Sequence, residues 1–267
     1  CKCCSNVPPV MNTDALIHQF QHPTVTALVL FGSHARGDAG PYSDIDLVRF
    51  VDRDDADPPG SGSHLIDDRL VVVSNYTPTT VAAWFTEPTA AVQAIAGLRQ
   101  AKPLLDRTGY FAALQQRAHA FTWTADLQAK ADRWCSAQMV GWIEEAHKGL
   151  EGLRRNDIGR LLNASFGLSW GLMGVVKVQR GVLVYSDNSV IEQVRARVGG
   201  NTRWSQLCAV SFGITAEDGL PPSLRERVVA GLQLYVVTTE LISSAIQPAH
   251  APMIARTVER INRECAA

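Results

Sequence analysis

Two strongly apolar runs near the start of the chain constrain its fold more than any other feature. Residues 25–31 (VTALVLF) form a continuous, partly β-branched run, and residues 45–51 (IDLVRFV) form a second one. Such runs are typical of buried β-strands. Gly32 ends the first run, and the polar, glycine-rich residues 33–43 predict a loop or a short helix. A third run, residues 69–76 (RLVVVSNY), predicts another strand.

The pattern changes near residue 124, where strand-like runs nearly vanish and helical patterns take over. The helical patterns cover residues 125–151, 156–179, 188–198, 224–246 and 251–265. The sequence therefore predicts an α+β fold, in which a mixed, partly antiparallel sheet with helices is followed by an α-helical bundle. The expected domains are residues 11–122 and 123–267, and we expect ligands to bind in the cleft between them. Residues 1–10 are interpreted as a leader or an added segment.

Composition and charge narrow the class of protein. The formal net charge is −1, whereas a nucleic-acid-binding protein usually carries a basic surplus, so no nucleic-acid partner is expected. No run of 18 apolar residues is present, which predicts no membrane span. Cys135, Cys208 and Cys265 lack the spacing of a metal site, and scattered cysteines suit a reducing, cytoplasmic location. The oligomeric state stays open, with a homodimer as one option.

A possible reaction centre lies between the first two predicted strands. Gly32 has no Cβ, so the backbone can approach a phosphate there, and Ser33 can donate its hydroxyl and N–H to phosphate oxygens. Asp44 and Asp46 are two residues apart on a predicted strand, so both side chains should lie on one face. Two adjacent carboxylates repel each other unless a cation lies between them, and Mg²⁺ binds carboxylate and phosphate oxygens.

This arrangement resembles the DNA-polymerase-β-type nucleotidyltransferase superfamily. Its signature is an apolar residue, Gly, then Gly or Ser, a spacer of roughly ten residues, and Asp-apolar-Asp/Glu-apolar, which Gly32-Ser33 and Asp44-Ile45-Asp46-Leu47 match. The resemblance implies that Asp44 and Asp46 are catalytic metal ligands for Mg²⁺. It also implies that Gly32, Ser33 and Arg36 bind the nucleotide triphosphate.

The superfamily's third carboxylate lies on a later antiparallel strand, and this sequence departs from that pattern. Its expected position is Val71 or Val73, and neither side chain can bind a metal. Asp67 and Asp68 precede the strand and are candidate substitutes, although an exposed turn is the alternative interpretation.

The helical half resembles the second domain of the kanamycin-type (aminoglycoside 4′) and lincosamide nucleotidyltransferases. The resemblance is carried by residues 142–148 (WIEEAHK) and the apolar helix after them. It implies that Glu144 is the catalytic base for the acceptor hydroxyl, with Glu145 next, and that Lys148 contacts the nucleotide phosphates. Glu144 and Lys148 are four residues apart and share a helix face. The alternative is a surface ion pair of small energetic effect.

The expected activity is Mg²⁺-dependent transfer of a nucleoside monophosphate from an NTP, with ATP as the expected donor. The expected acceptor is a hydroxyl of a small molecule resembling an aminoglycoside or a lincosamide, which implies a role in antibiotic resistance. Two alternatives stay open. One is a degenerate nucleotide-binding or regulatory protein that lacks the third carboxylate, and the other is a protein-modifying nucleotidyltransferase.

Overall fold

The structure, a computed structural model, describes residues 12–214 and 219–265, and the leader interpretation for residues 1–10 lies outside them. The described residues divide into two compact units. The first contains residues 12–122 together with Leu183–Ser186, and the second contains the remaining described residues from Trp123 onward. The α+β class predicted from the sequence is confirmed.

The first unit is built on one five-stranded sheet. Its strands are β1 (Val25–Phe31), β2 (Ile45–Val51), β3 (Gly62–Ile66), β4 (Arg69–Tyr76) and β5 (Lys102–Asp106). Their order in the sheet is β3-β4-β2-β1-β5. β2 and β4 pair in parallel, whereas the other three pairs are antiparallel, so the predicted mixed sheet is confirmed.

Side-chain alternation along the central strands places an apolar core on one face of the sheet. Ile45 and Leu47 on β2 lie in the core, as the sequence predicted, and their register partners on β4 are buried with them. The members of this core are Leu16, Phe20, Leu28, Leu30, Ala35, Ile45, Leu47, Val71 and Val73. Residues of β2 with the opposite parity, which include Asp46, lie on the other face.

Five helices complete the first unit: α1 (Thr13–Phe20), α2 (Gly32–Arg36), α3 (Pro78–Thr86), α4 (Pro88–Gln100) and α5 (Tyr110–His119). The side chain of Asn12 caps α1 by accepting a hydrogen bond of 3.1 Å from Ala15 N. Proline at the first position of α3 and of α4 suits a helix start, because the backbone N–H that proline lacks would have no helical partner there.

Strand β3 was not predicted from the sequence. β3 pairs with β4 in a hairpin whose two turn residues, Asp67 and Asp68, have φ values of 48° and 58°. Two consecutive residues with positive φ form the turn that matches the twist of a hairpin. An edge strand that contains Gly62 and Ser63 carries little apolar signal, which is why periodicity did not predict it.

Buried Arg49 on β2 holds the loop that precedes β3. Its side chain is 1% exposed, and its guanidinium donates to Asn75 Oδ1 at 2.8 Å, Pro59 O at 2.8 Å and Pro58 O at 3.0 Å. Burial lowers the pKa of Arg49, and the charge of Asp57 acts in the opposite direction. The three acceptors satisfy a cation that would otherwise be costly to bury.

The second unit consists of helices. They are α6 (Ala125–Gly141), α7 (Ile143–Arg155), α8 (Ile158–Gln179), α9 (Val190–Val198), α10 (Arg203–Phe212), α11 (Leu224–Leu241) and α12 (Ala251–Cys265). Helix α10 was not predicted from the sequence. The helix predicted over residues 125–151 is broken at Trp142, and the one predicted to reach residue 246 ends at Leu241.

Close helix packing in the second unit depends on glycines. A Cβ at Gly149 of α7 would lie 3.3 Å from Ala164 of α8 and from Val228 of α11, and one at Gly231 of α11 would lie 3.2 Å from Leu168. Small residues allow helix backbones to approach closely.

Helix α8 is long and apolar enough to cross a membrane by length and composition, and 56% of its most apolar window is buried inside the fold. Core helices of soluble proteins meet the same criterion. The buried residues of α8 pack within the helical unit, which is the arrangement of such a core helix.

Candidate nucleotide and metal site

The strand that leads into the candidate site ends in a glycine with a left-handed backbone. Gly32 has φ +64° and is the first residue of α2, so the chain turns sharply as it leaves β1. A Cβ at this position would overlap Oδ2 of Asp46 and lie 3.2 Å from its Cγ. Other residues rarely adopt this φ, and any side chain would displace the carboxylate. The turn therefore lies directly against Asp46.

The two predicted carboxylates lie beside this turn. Asp46 pairs with Phe31 across the β1–β2 ladder, and Asp44 lies one residue before the start of β2, near enough for its charge to act on Asp46. Burial raises the pKa of Asp46, and the charge of Asp44 raises it further. The charges of His34 and Arg36 act in the opposite direction. Two like charges in a partly desolvated place are stabilised by a cation.

These carboxylates fit a divalent cation that binds together with a nucleotide. Residues 12–214 and 219–265 contain no group of three or more His, Cys, Asp or Glu placed to hold a metal. Nucleotide sites often hold Mg²⁺ with one or two carboxylates plus phosphate oxygens. Asp44 and Asp46 provide such a pair, and a substrate triphosphate would complete the coordination.

The structure corrects the expected position of the third carboxylate. β4 is parallel to β2, not antiparallel, and Asp46 pairs with Val72. Val71 and Val73, which the sequence interpretation named, are 0% and 2% exposed in the core on the opposite face. Residues on the Asp46 face of β4 are Val72 and Ser74. The sequence interpretation was therefore wrong by one residue, since it named the neighbours of Val72. A shift of one residue along a strand moves the side chain to the other face of the sheet.

Asp67 and Asp68 do not replace this carboxylate. Both are exposed and form the turn of the β3–β4 hairpin. Asp68 lies four residues before Val72, which is about 13 Å along an extended strand. Their positive φ values suit a tight hairpin turn, so the alternative interpretation of an exposed turn applies.

Arg36, the predicted triphosphate ligand, contacts a segment that is distant in the sequence. Its Nε lies 3.1 Å from Asp38 Oδ2, and its Nη1 donates to Tyr185 O at 3.2 Å. Val184 N also donates to Val92 O at 2.9 Å, so Leu183–Ser186 belongs to the first unit. Sequence analysis missed this segment, because no local pattern links residues 149 positions apart.

His34 follows Ser33 on α2. Its Nε2 atom is buried and has no hydrogen-bond partner within the described part of the chain. By contrast, His64 Nε2 lies 3.0 Å from Gly60 O, and His22 Nδ1 lies 2.8 Å from Thr24 Oγ1. A buried polar atom without a partner is uncommon in native proteins and calls for an explanation.

The other predicted site residues lie in the second unit, on α7. Lys148 Nζ lies 2.8 Å from Glu144 Oε1 and 2.8 Å from Glu145 Oε1. The Glu144 side chain is 74% exposed, whereas that of Glu145 is 18% exposed. The hydrogen bond from Lys148, followed by its charge, lowers the pKa of Glu144. A carboxylate with a lowered pKa is a weaker base.

Glu145 and Trp142 lie over glycines of α8. A Cβ at Gly167 would lie 2.7 Å from Glu145 Cγ, and one at Gly171 would overlap the Trp142 ring. Glu145 Oε2 and Trp142 Nε1 are buried and lack hydrogen-bond partners among the described residues. Gly167 and Gly171 are four residues apart, so they share one face of α8. This spacing was the sequence signal for a close approach of α7 to that face.

Three comparisons with known proteins gave the following results. Residues 15–78 match the family model described as a nucleotidyltransferase domain, and they include Gly32, Ser33, Arg36, Asp44 and Asp46. A solved structure of a nucleotidyltransferase-like protein from Exiguobacterium sibiricum 255-15 aligns over 87% of this chain and 73% of that chain, with 12% identity and a TM-score of 0.48. No curated protein sequence matches this chain significantly.

Proposed function

We propose that this chain, whose residues 15–78 match the nucleotidyltransferase domain model, is a transferase that moves a nucleoside monophosphate from an NTP to a hydroxyl of a small molecule. ATP is the expected donor. The observation that carries the proposal is the contact between the Gly32 turn and Asp46, which brings a phosphate-binding turn against the metal carboxylates.

The residues of the first unit bind and orient the triphosphate. Asp44 and Asp46 would hold Mg²⁺, which neutralises charge on the phosphates when it is bound. The backbone at Gly32 and the hydroxyl and N–H of Ser33 contact phosphate oxygens. Arg36 adds a cation, and its bond to Tyr185 O limits the orientations of its guanidinium.

The proposed reaction forms a bond between the acceptor oxygen and the α-phosphorus and breaks the bond from that phosphorus to the bridging oxygen of pyrophosphate. The acceptor hydroxyl transfers its proton to a carboxylate. Lys148 contacts both carboxylates at 2.8 Å. Glu145 is favoured over Glu144 for this role, because it is only 18% exposed and its Oε2 has no partner among the described residues, whereas Glu144 is 74% exposed to solvent. Lys148 stays a proposed phosphate contact.

The proposed acceptor is an aminoglycoside-like or lincosamide-like molecule, which implies a role in antibiotic resistance. Such molecules carry hydroxyl and amine groups that suit carboxylates such as those of α7. The net charge of −1 disfavours a nucleic-acid acceptor. We propose that the protein acts in the cytoplasm, where ATP and Mg²⁺ are available.

The test is an acceptor screen. The protein is incubated with Mg²⁺, each of the four NTPs and a panel of aminoglycosides and lincosamides, and mass spectrometry detects the gain of one nucleotide unit. The expected result is modification of at least one acceptor by the parent and of none by Asp44→Asn, with a melting temperature no lower than that of the parent as the control for folding. A parent that binds Mg·ATP and modifies no acceptor contradicts the proposal.

The absence of a carboxylate at Val72 and Ser74 favours a second candidate, a degenerate nucleotide-binding protein. Binding of Mg·ATP without transfer would be its signature. In the same screen, a mass gain on added proteins, but on no small molecule, would support the protein-modifying alternative.

A further inference from the structure

Gly32, Ser33 and Arg36 account for the phosphates of the proposed NTP but not for its base. In a nucleoside triphosphate, only the ribose separates the α-phosphate from the base. The base should therefore lie near the residues that bind the phosphates. Proteins commonly bind a base by stacking it on an aromatic side chain, because every base has a π-face.

Two aromatic side chains of the first unit are exposed enough to receive a base. Among its described residues, 12–122 and 183–186, Tyr42 is 100% exposed and Tyr185 is 46% exposed. The other phenylalanine, tyrosine and tryptophan side chains in these ranges are buried or half-buried, and several of them pack around Phe50. A base could stack on Tyr42 or on Tyr185 without disturbing the core.

Tyr185 contacts a proposed phosphate ligand directly. Its carbonyl oxygen accepts a hydrogen bond of 3.2 Å from Arg36 Nη1. The preceding residue is fixed as well, because Val184 is buried and its N–H donates to Val92 O at 2.9 Å. The backbone that carries the exposed ring is thus held next to the Arg36 guanidinium.

We propose that the ring of Tyr185 is the surface on which the base of the NTP stacks. This inference rests on the proposed function, since it concerns the same nucleotide. A tyrosine ring has only two rotatable side-chain bonds, so ordering it costs little conformational entropy. Stacking depends on the overlap of two planar surfaces and not on a hydrogen-bond pattern. The site should therefore accept all four bases and prefer the larger purines, which include the adenine of the expected donor.

The test compares two ligands that differ by a nucleoside. Calorimetry measures the affinity of the full-length protein for inorganic triphosphate and for a non-hydrolysable ATP analogue, each with Mg²⁺. Tyr185→Ala should lower the affinity for the ATP analogue by roughly 5- to 150-fold, the contribution of one base stacked on an aromatic ring. Its affinity for inorganic triphosphate should not change, because the backbone carbonyl that Arg36 contacts remains. The second ligand therefore also shows that the variant is folded.

Two matched variants show which ring acts. Tyr185→Phe keeps the ring and should bind both ligands like the parent, whereas a loss of affinity in this variant would assign the contact to the hydroxyl and overturn stacking. Tyr42→Ala removes the other exposed tyrosine and should also bind both ligands like the parent.

The outcomes separate this inference from the proposed function. Unchanged affinity for the ATP analogue in Tyr185→Ala, or a loss that occurs in Tyr42→Ala instead, overturns the role of Tyr185 while the phosphate site stands. Equal losses for both ligands in Tyr185→Ala would mean that this residue supports Arg36 and not a base, which overturns the inference as well. If the parent binds neither ligand with Mg²⁺, the nucleotide site itself is wrong, and the proposed function fails with it.

Discussion

Gly32 and Asp46 are packed so closely that no side chain fits at position 32. A Cβ there would overlap Oδ2 of Asp46, and the φ of +64° independently favours glycine. The glycine of the motif thus makes room for the protein's own carboxylate. The turn and the carboxylate must keep their relative positions for the site to exist.

Gly32→Ala should weaken binding of Mg²⁺ and nucleotide as well as stability. The left-handed conformation costs a non-glycine residue about 1–2 kcal/mol, and the added Cβ also displaces Asp46. Gly37→Ala is the matched control, because Gly37 has φ +86° but open space around a Cβ. Calorimetry with Mg²⁺ and a non-hydrolysable ATP analogue should detect lost affinity in Gly32→Ala alone. Equal affinities would mean that the turn is not part of the site.

Asp46→Asn should raise the melting temperature of the metal-free protein near neutral pH. The folded-state pKa of Asp46 is raised by burial and by Asp44, so its ionised form opposes folding. At pH values below about 3.9, the pKa of an Asp in the unfolded chain, the carboxyl is protonated in both states and the penalty is absent. The penalty grows as pH rises from that value to the higher pKa of the folded state. The stabilising effect of Asp46→Asn relative to the parent should therefore disappear at acidic pH. Mg²⁺ with a non-hydrolysable ATP analogue should stabilise the parent but not the variant, and thermal unfolding at several pH values measures both effects.

Val72→Asp distinguishes a degenerate site from one with an unidentified acceptor. Val72 pairs with Asp46 and lies on the same face, so the new carboxylate should strengthen Mg²⁺ binding. Val71→Asp is the control for register, because Val71 is fully buried and an unpaired carboxylate there should unfold the protein. Calorimetry measures the Mg²⁺ affinity of Val72→Asp, and circular dichroism measures whether Val71→Asp is folded. Equivalent behaviour of the two variants would contradict the parallel register of β2 and β4.

Glu145→Gln should reduce turnover by roughly 10²–10⁴, the usual contribution of a general base, while leaving nucleotide affinity unchanged. Glu144→Gln should have a smaller effect, because the Glu144 side chain is 74% exposed, whereas that of Glu145 is 18% exposed. Steady-state kinetics with an acceptor found in the screen provides the comparison. The opposite ranking would restore Glu144 as the base, and normal turnover in both variants would exclude α7 from the chemistry.

Arg49→Met should lower the free energy of unfolding by about 2–5 kcal/mol, because it leaves Asn75 and the carbonyls of Pro58 and Pro59 without their donor. Arg53→Met removes an exposed arginine from the same region and should change stability by less than about 0.5 kcal/mol. Urea titration measures both variants. Similar stabilities would show that the loop before β3 does not depend on Arg49.

Local pattern alone was enough to predict the strands that flank the candidate site. The runs over residues 25–31, 45–51 and 69–76 matched β1, β2 and β4 residue for residue, because buried strands are continuous apolar segments bounded by turns. The two-residue repeat of an extended chain predicted a common face for Asp44 and Asp46, and in the structure Asp46 lies beside Gly32. The change to helices near residue 124 was visible for the same reason, since helical periodicity is also a local property.

Pairing between distant segments was decided only by the tertiary structure. The sequence could not show that β4 is parallel to β2 or that Val72, not Val71 or Val73, lies beside Asp46. It also could not show that Arg36 meets Tyr185, or that Gly167 makes room for Glu145. Strand register and helix contacts depend on which surfaces pack together across long separations in the chain. The periodicity of a single segment does not show which segment it packs against or in which register.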